Sequence, residues 1–222
     1  MVRETILNMK EIIYYTCGTH ADNIEQTCRT QLLKSQLPII SVSLNKEIDF
    51  GNDRIVVNGV RSPEMMHKQI LAGLKASTAM YVFLCESDVL YHPSHFEFTP
   101  PTFDTFFYNT NVWKYHTDNK KFYWTDDMQQ VSGCAASREL MISFFERRLK
   151  QFELTGFDRH YEPTERFGEY TKNWQSWIPN ICIRHDKNLT RTKKSIADFK
   201  NKQKAKGWKE AEEVTGWGEI KI

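Results

Sequence analysis

The stretch Met80 to Tyr91, MYVFLCESDVLY, constrains the fold of this chain more than any other. A mostly apolar run, rich in aromatic and β-branched residues, leads without a break into Glu86-Ser87-Asp88. That pattern reads as a strand buried on both faces, central in its sheet, whose carboxyl end meets water with two carboxylates. Open α/β sheets bind ligands outside the carboxyl ends of their strands, so Glu86 and Asp88 stand where a ligand site is expected. Residues i and i+2 of an extended segment point the same way. Both carboxylates can therefore face one cation, and hard oxygen ligands suit Mg²⁺ or Mn²⁺. The same three residues also fit a strand that simply ends in a polar turn.

Upstream, the sequence alternates between strand and helix signals. Glu11 to Thr16 is a β-rich run that stops at Cys17-Gly18-Thr19-His20, and Ala21 to Lys34 carries helical spacing through Ile24, Cys28 and Leu32. Asp22 or Thr19 can cap that helix. Its first backbone N–H groups, with Gly18, suit a phosphate or a ribose. Leu37 to Leu44 is a second strand, ending at Asn45-Lys46, and IVVNGV from Ile55 is a short extended piece. Ser62 caps a helix with Pro63 at its first position, running to about Ser77. Strands separated by helices of this length imply βαβ crossovers and a parallel sheet. Thr16, Cys17, Gly18, Asn45 and Lys46 stand at the ends of the first two strands, where α/β sheets bind their ligands, and Thr16 equally fits an ordinary polar strand end.

Past Tyr91 the parallel order ends. Thr105 to Lys114 alternates like an exposed or edge strand, Lys121 to Thr125 reads as its neighbour, and Val131 to Ala136 is a small-residue segment leading into a helix from Ser137 to about Phe152. Thr155 to Asn173, polar and acidic at Asp158, Glu162, Glu165 and Glu169, reads as a mobile loop over a site. Trp177 to Arg184 is a last strand, ending at His185. Beyond Asn188 the chain is basic and reads as helical to about Lys206. With 222 residues, 40% of them hydrophobic, the chain suits one sizeable core, taken as a domain over 1–192 with a basic helical tail over 193–222. No apolar run is long enough to span a bilayer, and the first ten residues lack a secretory pattern, so a soluble, cytoplasmic protein is expected. The five cysteines are widely spaced, without a CxxC pair, and read as reduced core residues.

In this order of parts the chain resembles GT-A glycosyltransferases, the nucleotide-diphospho-sugar transferase superfamily. The residues that carry the likeness are Glu86-Ser87-Asp88 after the central strand, the GCAASR segment Gly133 to Arg138, and His185 in IRHDKNLT after the last strand. The resemblance implies an α/β fold with a mixed, mainly parallel, Rossmann-like sheet flanked by helices in a single domain. It implies a divalent cation, Mn²⁺ or Mg²⁺, held by Asp88 and His185 with Glu86 as a further ligand. It implies a nucleotide-sugar donor, uridine-linked, bound by Ser87, Gln69, Lys187 and Arg191 as well as the strand-end residues, and a sugar and acceptor pocket at Gly133, Cys134 and Ala135. Small single-domain proteins of this kind include bacteriophage enzymes that decorate modified DNA bases, and the lysines of 193–209 fit contact with a phosphate backbone. The first acid of the motif is Glu86 where the family has Asp, and the QxxRW acceptor motif is missing.

An inverting transfer needs a carboxylate base near the acceptor hydroxyl, for which Asp127 or Asp126 is best placed, with Glu165 in reserve. The Asp pair equally fits a simple chain turn. Two rivals stand beside sugar transfer: a nucleotidyltransferase, which would want a basic, Gly-rich loop after the first strand, and a non-catalytic nucleic-acid-binding protein on the same fold.

Overall fold

The computed structural model describes residues 9–222 except 158, 159, 161 and 191. Its first half follows the alternation of the sequence: β1 (Lys10–Thr16), α1 (Asp22–Leu32), β2 (Ile39–Leu44), β3 (Asp53–Val57), α2 (Pro63–Ala76) and β4 (Tyr81–Glu86). Strands β4, β1, β2 and β3 lie side by side and parallel. Ser62 caps α2 by accepting from the Met65 N–H at 3.1 Å, with Pro63 at the first helical position. α1 begins after Ala21 without a side-chain cap, so neither Asp22 nor Thr19 serves as one.

Three later strands complete the sheet: β6 (Thr105–Asn109), β9 (Cys134–Ser137) and β10 (Tyr170–Trp174), and α3 (Arg138–Thr155) follows β9 directly. The order is β10-β6-β9-β4-β1-β2-β3, which puts β4 at the centre of seven strands. β9 runs antiparallel to both neighbours, and the other four pairings are parallel, giving a mixed, mainly parallel sheet flanked by helices. Both faces of β1 and β4 are buried. Ile13, Tyr15, Val82 and Leu84 pack under α2 and α3, while Ile12, Tyr14, Phe83 and Cys85 face the opposite cluster.

Two expectations fail here. Thr105 to Lys114 is not one edge strand: β6 is buried inside the main sheet, and the chain breaks at Thr110-Asn111 into β7 (Val112–His116), which belongs to a second sheet. The stretch read as a mobile loop instead supplies β10, a polar edge strand parallel to β6, preceded by a turn at Glu165–Phe167. Its side chains are largely exposed, so it carries no apolar alternation to announce it. Asp158 of that stretch lies outside the described residues.

The second sheet holds β5 (Val89–Leu90), β7, β8 (Lys121–Trp124), β11 (Asn180–Arg184) and β12 (Lys209–Ala211), in the order β12-β8-β7-β11-β5. Residues 193–222 are not helical as expected. They form two short 3₁₀ turns and β12, which pairs with β8, and the Trp217 indole N–H donates to the Pro179 carbonyl at 2.7 Å. Lysines spaced along this segment mimic a solvated helix face, but the pairing edge of β8 takes the backbone. All five cysteines are free thiols, and no helix among the described residues is long and apolar enough to cross a membrane.

Two close packings are testable. A Cβ on Gly73 would lie 2.6 Å from Cγ2 of Ile13 and 2.9 Å from Cγ2 of Val42, so the missing side chain lets α2 lie directly on β1 and β2. Gly73→Ala should lower stability by about 1–3 kcal/mol in urea denaturation, although alanine is the better helix former. His95 is fully buried, with Nδ1 accepting from the Asn109 and Asn180 amides at 2.9 and 3.1 Å, and burial pushes its imidazole down to about 3. The unfolded chain would take up that proton near pH 6.5. The stability it contributes is therefore complete above about pH 6.5 and lost as pH falls, by up to about 1.4 kcal/mol per pH unit. Between pH 7 and pH 5, His95→Gln should lose less stability than the wild-type chain; equal losses would refute the assignment.

Candidate active site

The carboxyl ends of β1 and β4 open into a cleft of about 360 Å³ between the two sheets. Thr16, Cys17 and His20 come from the end of β1 and the turn after it, Glu86, Ser87 and Asp88 from the end of β4, and Gln129 to Ser132 from the approach to β9. The turn after β4 is held by Tyr91. Its buried hydroxyl accepts the Glu86 N–H at 2.9 Å and donates to the Ser132 carbonyl at 2.7 Å, joining the acidic turn to the segment opposite. The Asp88 carbonyl accepts from the Ile183 N–H at 2.8 Å, so β11 delivers His185 beside it.

His20, Asp88 and His185 each aim one ligand atom into a space where all three lie within 4.8 Å of one another. His20 Nδ1 is 2.9 Å from His185 Nε2, which is 3.5 Å from Asp88 Oδ2. Asn188 donates to the same Oδ2 at 2.7 Å and accepts from the His185 N–H at 2.7 Å, closing the loop after β11. Asp88 Oδ1 is buried and finds no hydrogen-bond partner among the described residues. An orphaned buried carboxylate oxygen beside two imidazoles is a donor set of the kind divalent transition ions take. The residues present thus fit a cation. When neutral, His20 can take the tautomer this needs, because Nε2 lies 3.3 Å from Cys17 Sγ and can donate to it, leaving Nδ1 open. His185 differs. The Lys187 N–H donates to its Nδ1 at 3.2 Å, which puts the ring hydrogen on Nε2; ligation requires the other tautomer, for which Asp186, 3.9 Å from Nδ1, is the adjacent acceptor.

The two acids of the motif differ in charge. Burial, and then the charge of Asp88, push the Glu86 carboxyl up to about 8, so near neutral pH Glu86 holds a proton. Burial opposes the charged form of Asp88 as well, but the hydrogen bond from His185 and the charge of His20 outweigh it and hold Asp88 below the usual carboxylate range. Cys17 is half-buried, which raises its thiol, yet hydrogen bonds to His20 and Thr19 bring it down to about 7.

The other expected site residues divide. Gln69 lines the cleft and is buried, its amide donating to the Thr16 carbonyl at 2.8 Å and the Val42 carbonyl at 3.1 Å, so it ties β1 to β2. Gly18 takes φ of +63°, which makes the turn to His20 possible. Lys187 reaches across to the Thr19 carbonyl at 2.8 Å. Asn45 and Lys46 do not line the cleft; Asn45 instead pins the Gly59 backbone with two 2.8 Å hydrogen bonds. Gly133, Cys134 and Ala135 are buried in and beside β9 within the core, not in a pocket; a Cβ on Gly133 would lie 3.2 Å from the Asn109 carbonyl oxygen. Small residues there serve sheet packing. Asp126 and Asp127 lie outside the cleft lining, Asp127 exposed at φ of +52° and accepting from Asn173, and Glu165 is exposed in its turn. Glu86 stands outside the group of three ligand atoms. Arg191 lies outside the described residues. Sequence reasoning missed His20 and Glu162 as site residues; both line the cleft. The available signal for His20 was that β1 adjoins β4, so the turns after these parallel strands must meet.

No family model and no curated protein matches this chain. Among solved structures, the inositol-1-phosphate CTP transferase from T. maritima is similar with a TM-score of 0.53 at 11% identity, over 82% of this chain and 92% of that one. A Methanothermobacter nucleotidyl transferase gives a TM-score of 0.43 at 12% identity, over 78% of this chain and 89% of that one. The likeness is one of fold. It places the chain in the mixed α/β, Rossmann-like architecture that the CTP transferase also has.

If the three residues form a cation site, Mn²⁺ should raise the melting temperature of the wild-type protein; a ligand at about 100 times its Kd stabilises by about 2.7 kcal/mol. His20→Gln and Asp88→Asn should each weaken Mn²⁺ binding by about tenfold or more in a calorimetric titration. Unchanged affinity in His20→Gln would remove His20 from the site.

Proposed function

We propose that the cleft is the catalytic centre of a divalent-cation-dependent transferase whose donor is a nucleotide carrying a di- or triphosphate. The observation that carries this reading is the convergence of His20, Asp88 and His185 at the carboxyl end of the central strand, where α/β sheets bind their ligands. A bound cation there would neutralise charge on the departing phosphate oxygens. Thr16 and Cys17 line the cleft at the end of β1, where a base and ribose would lie, and Arg184 lines it on β11, where it would face the phosphates. Three acids line the cleft: Glu86, Asp88 and Glu162. With Asp88 among the ligands and Glu86 holding a proton, Glu162 is the group suited to accept a proton from the acceptor hydroxyl, in place of Asp126, Asp127 or Glu165.

A separate observation favours each of two reactions. The fold shared with a CTP transferase supports nucleotidyl transfer, in which a nucleoside triphosphate loses pyrophosphate. The turn after β1, Cys17 to Ala21, supports sugar transfer from a nucleoside diphosphate sugar, because it holds no Lys or Arg of its own to cradle a triphosphate, and Lys187 spends its amine on the Thr19 carbonyl. The uridine base and a modified-DNA acceptor, implied by the family resemblance, belong to the second reaction. A panel of nucleoside diphosphate sugars and of triphosphates with sugar phosphates, each with Mn²⁺ or EDTA, separates them. Release of a nucleoside diphosphate identifies sugar transfer, and release of pyrophosphate identifies nucleotidyl transfer. Either activity should vanish in EDTA and in Asp88→Asn and fall about 10²-fold or more in Glu162→Gln. Absence of both products, with no cation-dependent nucleotide binding, would overturn the proposal.

A further inference from the structure

The cleft holds more positive charge than a cation-bound diphosphate requires, and that charge is displaced from the cation site. Across the second sheet the strands run β5, β11, β7, so Asp88 abuts β5, Arg184 stands on β11 and Lys114 on β7. Two strand spacings separate β5 from β7, about 10 Å. Beyond Lys114 the cleft wall is built by the segment after Asn188, which contributes Lys193, Phe199 and Lys204. Among the described residues the acids that line the cleft are Glu86, Asp88 and Glu162; the first two stand at the end of β4, and none of the three acts on the Lys114 amine.

Lys114 is the informative member. It pairs in register with Cys182, it is half-buried, and its one hydrogen-bond partner among the described residues is the thioether of Met128, a weak acceptor. Burial pulls its amine down to about 8, so it still carries charge at neutral pH; the Cys182 thiol beside it acts the other way, and the cations Arg184 and Lys193 add to the lowering. A buried ammonium without an anionic partner is costly to keep. Lys193 spends one hydrogen on the Asp198 carbonyl at 2.7 Å and lies beside the Phe199 ring, and Lys204 is exposed at the rim.

We infer that Lys114, Lys193 and Lys204 form a second anion site in the cleft, independent of the cation, that takes the phosphate of a phosphomonoester acceptor. A monoester fits better than a nucleic-acid backbone because Lys114 is recessed: a terminal phosphate dianion reaches it, whereas a diester is flanked by sugar on both sides. The inference rests on the transferase reading and names the acceptor class of that same cleft.

The test is calorimetric titration with inorganic phosphate and with glycerol 3-phosphate, in EDTA, on wild-type protein, Lys114→Met, Lys193→Gln and Asp88→Asn. Saturable binding is expected without Mn²⁺, kept in Asp88→Asn and weakened about tenfold or more in each lysine variant, while Mn²⁺-dependent nucleotide binding stays as in the wild type. Lys193 lies at the cleft edge, so its variant decides the matter if Lys114→Met fails to fold. Four results overturn the inference: no binding of either probe; binding that needs Mn²⁺ or disappears in Asp88→Asn, which would put phosphate at the cation site; displacement of phosphate by nucleoside diphosphate, which would make this the donor's own subsite; or lysine-dependent binding of a DNA oligonucleotide in preference to the monoester. Failure of the transferase reading would show separately, as loss of cation-dependent nucleotide binding by the wild-type protein.

Discussion

The hydroxyl of Tyr91 holds together the parts of this molecule on which the site depends. It lies fully inside the protein, accepting from the Glu86 backbone and donating to Ser132. One side chain thus ties the end of the central strand to the approach to β9, and the aspartate that follows is fixed in turn by the Ile183 N–H. A hydroxyl buried this deeply has to use both its donor and its acceptor capacity, since neither can be returned to water without opening the core. The acidic turn is therefore a rigid part of the sheet junction and not a loop laid over it.

Electrostatics then sort the charged residues by position. The two neighbouring carboxyls are unequal: Asp88, with two imidazoles and an amide around it, keeps its charge, and Glu86, raised by burial and by the charge of Asp88, keeps its proton. One carboxylate beside two imidazoles is a poorer fit to Mg²⁺, which prefers oxygen, than to Mn²⁺ or another transition ion. At the far end of the cleft the sign reverses, with lysines drawn from β7 and the C-terminal segment. A cleft with a carboxylate and two imidazoles at one end and lysines at the other suits two ligands, one carried with a cation and one without.

Much of the fold was legible because its strongest elements obey local rules. β1 and β4 announce themselves by unbroken apolar runs, β2 by the β-rich segment IISVSL, α2 by Ser62-Pro63, α3 by Ser137, and the alternation of strand and helix implies the parallel half of the sheet. β10, β12 and the split between β6 and β7 were not legible. They are short or polar segments whose extended shape is imposed by the edge they pair with, and nothing in their own side chains requires it. Of the candidate site, the positions of Asp88 and His185 were legible because they stand at strand ends that the pattern located, whereas GCAAS looked like a pocket because small residues permit close approach to a ligand or to a neighbouring strand alike.

The sequence by itself determined which strands are buried, that the central one ends in acids, and that a histidine follows the last long strand, since these depend on residue type and spacing along one segment. Only the tertiary structure decided that His20 joins Asp88 and His185, that Glu86 carries a proton, that Glu162 and not Asp127 lines the cleft, and that Lys114 has no anionic partner among the described residues. Each of these depends on atoms far apart in sequence. Ligand geometry, burial and charge are set by what surrounds a group in space, and that neighbourhood exists only once β1, β4, β7 and β11 have been brought to one place.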